Sequence, residues 1–134
     1  DMDVERYLLA SALSGIVSQK LARKLCDKCK TTRETSSYEK QLFKKYLGIE
    51  VNQIHEAVGC PDCSAGYKGR IAVHEVLIVD TKVRQMITDR RTAEEIYRYV
   101  EETQNIRRWR ADIIRLVGAG VTTVEELLRL TYGE

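Results

Sequence analysis

Apolar residues recur every three or four positions along several stretches of this chain, and that spacing predicts amphipathic helices. The first such stretch begins at Val4, and Gly15 is placed to end it. After that glycine, residues 16–21 fit a strand, yet apolar residues also continue at every fourth position from Leu13 to Leu25. Periodicity therefore leaves helix and strand both open for this segment.

Capping patterns locate the later helices. A hydroxyl residue followed three positions later by glutamate predicts helix starts at Ser36, Thr92 and Thr123. Either residue of 80–81 can cap another helix, and a further apolar face lies on residues 106–117. Residues 31–35 are polar and predict a loop. We expect the helices of residues 81–134 to form a small bundle.

The strongest strand signal runs from Ile71 to Val79. Both of its faces are mainly apolar, which is typical of a strand inside a larger sheet or a layered core. Alternation places His74 and Glu75 on opposite faces, so they cannot act as a catalytic pair, and we expect each to have a local partner. The strand and the helices together predict an α/β fold.

Composition bounds the class of protein. The 134 residues fit one domain, or one domain with a small lobe. The 22 basic and 20 acidic residues give a net charge of +2, an even mixture without the general electrostatic footprint of a nucleic-acid-binding protein. No apolar run is long enough to span a bilayer. The first residues resemble neither a signal peptide nor a natural start, so we expect a fragment of a longer protein.

All four cysteines lie in two Cys-x-x-Cys turns, Cys26 with Cys29 and Cys60 with Cys63. Two residues between cysteines let both sulfurs reach one point, and two such turns supply the four thiolates of a tetrahedral zinc site. Iron would use the same ligands, and the same four cysteines could instead form two disulfides or be unrelated buried thiols. A closed set of four ligands has no position for water or substrate, so the predicted metal is structural.

His55 lies between the two turns and offers an alternative ligand. Because four thiols are already available, we expect a packing or surface role for this histidine. Binding of a structural zinc contributes about 10–16 kcal/mol at neutral pH, so residues 26–66 are expected to fold only with metal.

The run from Leu9 to Cys26 resembles the segment that leads to the zinc lobe of type II secretion and type IV pilus assembly ATPases. The helix from Lys82 to Ile87 is similar to one in that family, whereas Lys20 and Trp109 depart from the family pattern. Four more motifs at family spacing are Gly59-Cys60-Pro61-Asp62-Cys63, Gly66-Tyr67-Lys68-Gly69-Arg70, His74-Glu75-Val76-Leu77 and Thr122-Thr123-Val124-Glu125-Glu126-Leu127-Leu128-Arg129.

The resemblance implies the C-terminal part of a hexameric P-loop motor that hydrolyses ATP with Mg²⁺ to assemble pilins or pseudopilins. Such a motor would lie in the cytoplasm on the inner face of the bacterial plasma membrane, with the inner-membrane platform and cytoplasmic components of the machine as partners. The implied layout has residues 1–25 and 67–80 completing a RecA-like ATPase domain, 26–66 as the zinc insertion and 81–134 as the helical bundle.

The sequence contains no Gly-x-x-x-x-Gly-Lys-Ser/Thr phosphate loop. Under the family resemblance the catalytic residues would lie upstream of Asp1, and we expect the chain alone not to hydrolyse ATP.

Two further classes of function stay open. A free-standing zinc ribbon that binds nucleic acid is supported by Lys24, Lys28, Lys30 and Lys68, although interleaved acids and the absence of aromatic clusters argue against it. A dithiol redox protein has two Cys-x-x-Cys pairs in its favour but lacks a thioredoxin-like context. Metal content separates the redox class from the zinc-binding classes.

Overall fold

The computed structural model describes residues 15–104 and 108–132 and has a mixed α/β fold. By their internal contacts, these residues form a first unit, 15–18 with 74–104, and a second unit, 19–73 with 108–132. The helix predicted from Val4 lies outside the described residues. The elements, in chain order, are β1 (Gly15–Leu25), β2 (Thr31–Glu34), α1 (Ser37–Leu47), β3 (Gln53–Glu56), β4 (Tyr67–Ile78), α2 (Thr81–Thr88), α3 (Ala93–Thr103), α4 (Trp109–Gly118) and α5 (Val124–Tyr132).

The segment after Gly15 is a strand, β1, which pairs with β4. A spacing of four residues is close to one helical turn, but it is also two full periods of a strand, so both conformations keep such residues on one face. Ala22 is fully buried whereas Leu21 is 41% exposed, the alternation expected of a strand. Pairing with β4 thus decides between helix and strand, which the spacing of apolar residues left open.

Strand β4 begins at Tyr67, before the predicted start at Ile71. Val73, Glu75 and Leu77 are buried, while Val76 and Ile78 on the other face are about half exposed. Within the described residues the sheet of β1 and β4 has two strands, and this alternating burial shows that only one face of β4 is covered there. His74 is exposed and Glu75 buried, on opposite faces as predicted.

In the first unit, α2 and α3 pack against the end of β4. Asp80 caps α2, because its side chain accepts a hydrogen bond of 2.8 Å from the Val83 backbone N–H. Thr92 and Glu95 form the predicted capping box at the start of α3. Leu77, Val79, Val83 and Val100 form a buried apolar cluster in this unit, and Met86 is buried as well.

In the second unit, residues 31–34, predicted as a loop, form the short strand β2. They pair antiparallel with β3, with Thr31 opposite Glu56 and Glu34 opposite Gln53. The prediction failed because a four-residue polar strand has no apolar alternation, and only its distant partner stabilises it. Between the two strands, α1 begins at the predicted capping box and ends at Gly48, whose φ of +67° is left-handed.

Helices α4 and α5 follow one another in the second unit, and α4 also packs against α1. The helices of residues 81–134 are therefore described as two pairs, α2 with α3 and α4 with α5, and their union in one bundle stays a prediction. No helix among the described residues is long and apolar enough to cross a bilayer. The core residues of the second unit are Ala22, Phe43, Ile54, Val73, Trp109, Ile113, Ile114, Leu116, Val117, Val124 and Leu127.

The turn between α4 and α5 supplies partners for the backbone of β1. The Arg23 backbone N–H donates to Glu126 Oε1 at 2.7 Å, and the Arg23 carbonyl accepts from Thr122 Oγ1 at 2.7 Å. The Leu25 N–H donates to the Val121 carbonyl at 2.8 Å. Because an unpaired strand edge exposes backbone donors and acceptors, these bonds satisfy the edge of β1 at Arg23 and Leu25 without a further strand.

Glu126 is the centre of this arrangement. Its side chain has no solvent exposure and lies 2.8 Å from the Arg23 guanidinium and 2.9 Å from that of Arg129. Burial opposes ionisation, but hydrogen bonds from Arg129 and Arg23 outweigh it and lower the pKa of Glu126 to about 2. The predicted capping box is therefore half formed: Thr123 Oγ1 accepts from the Glu126 N–H, while the Glu126 carboxylate binds the arginines.

Replacing Glu126 by glutamine tests this carboxylate through pH. An unfolded glutamate has a pKa of about 4.3, above the folded value, so ionised Glu126 stabilises the fold at neutral pH and the contribution is lost as pH falls from about 5 to 2. We expect E126Q to lower the free energy of unfolding by about 1–3 kcal/mol at neutral pH and to flatten its decline in acid. Urea unfolding followed by circular dichroism across pH measures both.

The control is Glu34→Gln, because Glu34 is an exposed carboxylate in the same unit. Its removal should leave the acid profile unchanged. Identical profiles for E126Q and the unmodified chain would show that the buried carboxylate does not couple stability to pH.

Candidate metal centre

The two Cys-x-x-Cys turns meet where β1 ends and β4 is about to begin. Cys26 follows the last residue of β1 and is 1% exposed. Its backbone N–H donates to the Gly66 carbonyl at 2.9 Å, and its carbonyl accepts from the Lys30 N–H at 3.1 Å. The first bond joins the two ends of the segment 26–66, so the second turn is held beside the first.

The structure brings the four predicted ligand atoms together. The sulfurs of Cys26, Cys29, Cys60 and Cys63 all lie within 4.8 Å of one another. The Sγ–Sγ distances are 3.8 Å for Cys26 and Cys60, 3.7 Å for Cys29 and Cys63, and 3.5 Å for Cys60 and Cys63. A regular tetrahedron with Zn–S bonds of about 2.3 Å has edges of about 3.8 Å. The donor set and its spacing therefore fit zinc.

The same geometry bears on the disulfide, buried-thiol and iron interpretations of the cysteines. All four are free thiols, and their Sγ–Sγ separations exceed the disulfide bond length of about 2.0 Å. The convergence of all four sulfurs on one point also argues against the interpretation as unrelated buried thiols. Iron uses the same tetrahedral thiolate set, so the geometry does not choose between zinc and iron.

Electrostatics explain why such a cluster needs a cation. The backbone N–H of Lys28 donates toward Cys26 and lowers the pKa of that thiol to about 7. At Cys60 the N–H of Asp62 also lowers the pKa of the thiol. The neighbouring thiols, above all that of Cys63, and burial outweigh this effect and raise the pKa of Cys60 to about 12. Thiolates this close repel one another, so the protein alone does not ionise all four. A divalent cation at the centre removes that repulsion.

Two of the lysines around the centre, Lys28 and Lys30, form ion pairs. Lys28 bridges the two turns through an exposed ion pair of 3.0 Å with Asp62. Lys30 lies 3.1 Å from Asp27 and donates to the Gly120 carbonyl at 2.9 Å. Four lysines support the nucleic-acid interpretation, and these contacts give two of them a structural role. The bond to Gly120 also ties the first cysteine turn to the end of α4.

His55 lies in β3, outside the group of sulfurs. A side chain added at Gly120 would come within 3.0 Å of His55 Nδ1, so the histidine fills the space beside that glycine. This is the packing role predicted for it.

Sequence reasoning missed Arg33, which ties together several elements of the second unit. Its guanidinium makes a bidentate pair with Glu39 at 2.8 and 2.6 Å and lies 3.6 Å from Glu56 and 3.9 Å from Glu125. Hydrogen bonding to Glu39 raises the pKa of Arg33 and lowers that of Glu39. The pattern gave no signal, because Arg33 lies in a segment predicted as a loop and Glu39 already had a capping role.

Comparison with known proteins places the chain among secretion and pilus proteins. A family model described as type II/IV secretion system protein matches residues 1–129. Over 98% of its length the chain is 35% identical to the type II secretion system protein HxcR of Pseudomonas aeruginosa and 33% to the type II secretion system ATPase E of Vibrio cholerae. It is 32% identical to the type IV pilus assembly ATPase PilB of Thermus thermophilus. The chain spans 24%, 26% and 15% of these relatives' lengths.

The donor set predicts one bound metal ion per chain. After expression with zinc and mild purification, elemental analysis should find about one zinc per chain, and thiol titration should find four reactive thiols only after chelation and unfolding. Cys60→Ser with Cys63→Ser should lose the metal, whereas His55→Gln should keep it. A folded chain with no metal would contradict the assignment.

Gly66 predicts a second, backbone test of the centre. Its φ is +97°, and a Cβ there would lie 2.5 Å from Ala57 Cβ and 2.8 Å from the Val58 nitrogen. Since backbone cannot move aside cheaply, Gly66→Ala should destabilise the second unit by about 3 kcal/mol or more and reduce zinc retention.

Gly48→Ala is the matched control, because Gly48 also has a positive φ, +67°, but an added Cβ there would meet no atom of the described residues within 4 Å. It should cost only about 1–2 kcal/mol and leave zinc content unchanged. Thermal unfolding and zinc analysis compare the two variants, and equal effects would refute the steric argument.

Proposed function

We propose, since this chain belongs to the type II/IV secretion system protein family, that it is the zinc-binding C-terminal part of a hexameric ATPase that powers type II secretion or type IV pilus assembly. The observation that carries the proposal is the tetrahedral spacing of four thiols within a chain matched to that family over residues 1–129. Family membership supports the motor function of the full-length protein, and the cysteine geometry supports a zinc-binding role for this part of it.

The proposed layout has residues 1–25 and 67–80 as elements of a RecA-like ATPase domain, 26–66 as the zinc insertion and 81–134 as a helical bundle. Two observations support the insertion. The strands that flank it, β1 and β4, pair with each other, and the Cys26 N–H bonds to the Gly66 carbonyl at the insertion's two ends. An insertion entered and left through paired strands is fixed at its base.

In this proposal ATP and Mg²⁺ bind the full-length protein through residues that the chain does not include, and the chain alone is inactive. The zinc insertion is a mechanical part. A metal held by Cys26, Cys29, Cys60 and Cys63 would cross-link the two turns and so stiffen the segment between them.

Stiffness matters because a motor must transmit a nucleotide-driven motion without a loose linker absorbing it. The first cysteine turn is tied to the turn after α4 by Lys30 Nζ to the Gly120 carbonyl and, just before it, by Leu25 N–H to the Val121 carbonyl. The insertion would therefore move with β1 and with α4 as one body. We infer that its outer surface couples the hexamer to the inner-membrane platform, with the motor in the cytoplasm against that membrane.

The test separates coupling from chemistry in the full-length protein. Cys60→Ser with Cys63→Ser should preserve hexamers and near-normal basal ATP turnover while reducing secretion or pilus output at least about tenfold, because the insertion loses its cross-link. Hexamer mass, phosphate release and output are measured separately. The control, His55→Gln, keeps all four thiols and should retain output. A folded zinc-free hexamer with normal output would exclude the coupling role.

A further inference from the structure

A second polar site lies in the second unit, outside the cysteine cluster. It is a surface groove of about 790 Å³ beside β1, the start of β4 and α5. Three arginines, Arg23, Arg70 and Arg129, line it together with Ser64 and Tyr67. Among the described residues no carboxylate lines it, so the groove presents positive charge to solvent.

Two of these arginines are already held in position. Glu126, fully buried beneath the groove, binds the guanidinium groups of Arg23 and Arg129 at 2.8 and 2.9 Å. The Arg23 guanidinium also lies 4.1 Å from the centre of the Tyr67 ring, and Arg129 Nη2 donates to the Leu21 carbonyl at 3.3 Å. Their side-chain entropy is therefore lost on folding and does not have to be lost again when a ligand binds.

The same arginines keep donors for a ligand. Arg23 and Arg129 both use Nε and Nη2 in these bonds, and Nη1 of each has no protein partner among the described residues. Arg70 is exposed and forms no ion pair within the described part of the chain. Gly69, next to it, has no side chain to obstruct the groove. One free and two anchored guanidinium groups thus line one open volume.

Charge and shape select the ligand class. Three guanidinium groups against one carboxylate, that of Glu126, leave two positive charges without a partner. A phosphate monoester carries about −1.5 to −2 at neutral pH, and its oxygens match the planar fork of arginine in a bidentate pair. A single carboxylate would neutralise only half of that charge. We propose that the groove of Arg23, Arg70 and Arg129 is a binding site for a phosphate monoester group.

This site does not depend on the proposed motor function, and the experiment keeps the two apart. The zinc-loaded chain is titrated with inorganic phosphate while NMR follows the arginine Nε–H signals, and zinc content is measured for every variant. We expect saturable binding that shifts the signals of Arg23 and Arg129. Arg70→Gln should weaken binding at least about tenfold, and Arg70→Lys should have a smaller effect, because it keeps the charge and loses the fork.

The matched control is Lys40→Gln, since Lys40 is an exposed cation of the same unit that does not line the groove. It should bind phosphate as the unmodified chain does. Equal weakening by K40Q and R70Q would show only general charge attraction and would overturn the proposal. The proposal would also be overturned if R70Q left phosphate binding unaffected or if binding did not saturate. Equal competition by malonate, which lacks phosphate geometry, would overturn it too.

Two sources of the phosphate are distinguished with vesicles of phosphatidylcholine containing phosphatidate. If the chain binds these vesicles, and if inorganic phosphate displaces them and R70Q weakens their binding, the ligand is a lipid headgroup. Saturable binding of inorganic phosphate without vesicle binding assigns it to a soluble phosphate monoester. Vesicle binding that phosphate does not displace, with no binding of phosphate itself, would overturn the site.

Discussion

The meeting of two cysteine turns at one point is the constraint on which the second unit depends. Residues 26–66 lie between β1 and β4, and the Cys26 to Gly66 hydrogen bond, the Lys28 to Asp62 ion pair and the sulfur cluster close the base of this segment. The segment contributes Phe43 and Ile54, both fully or almost fully buried, to a core shared with α4. Closing the base thus positions the apolar residues that complete the core, and packing of that core in turn keeps the sulfurs at ligand spacing.

A buried carboxylate supplies the second constraint. A charge placed out of water is unfavourable unless hydrogen bonds replace its hydration, and Glu126 obtains them from one backbone N–H and two guanidinium groups. The Arg23 N–H belongs to the edge of β1, so the same carboxylate satisfies a strand edge and orders two arginines. Because the side chains of Arg23 and Arg129 are held in place, the groove that they line is preorganised for a ligand. A structural interaction and a candidate binding site therefore share one residue.

Local chemistry was readable from the sequence, and long-range pairing was not. The capping boxes at Ser36 and Thr92 and the stop at Gly48 depend on residues within one turn, and the structure confirms them. The cysteine turns were recognisable because metal geometry constrains their spacing. By contrast, β2 exists through pairing with β3, and Arg33 and Glu126 bind partners far along the chain. At Thr123 the local rule was half right, because Arg23, 103 residues from Glu126, binds the Glu126 carboxylate that a capping box would use.

The arrangement of charges also separates the classes of function that composition left open. Of the four lysines that support a nucleic-acid interface, Lys28 and Lys30 form ion pairs with the exposed acids Asp62 and Asp27, which compete with phosphates for them. A dithiol redox centre needs one pair of sulfurs, and Cys60 and Cys63 lie 3.5 Å apart within one turn, but two further approaches of 3.7 and 3.8 Å link the two turns. Convergence of all four favours a shared cation. The three arginines form one groove instead of a stripe, which suits a single phosphate group better than a polymer.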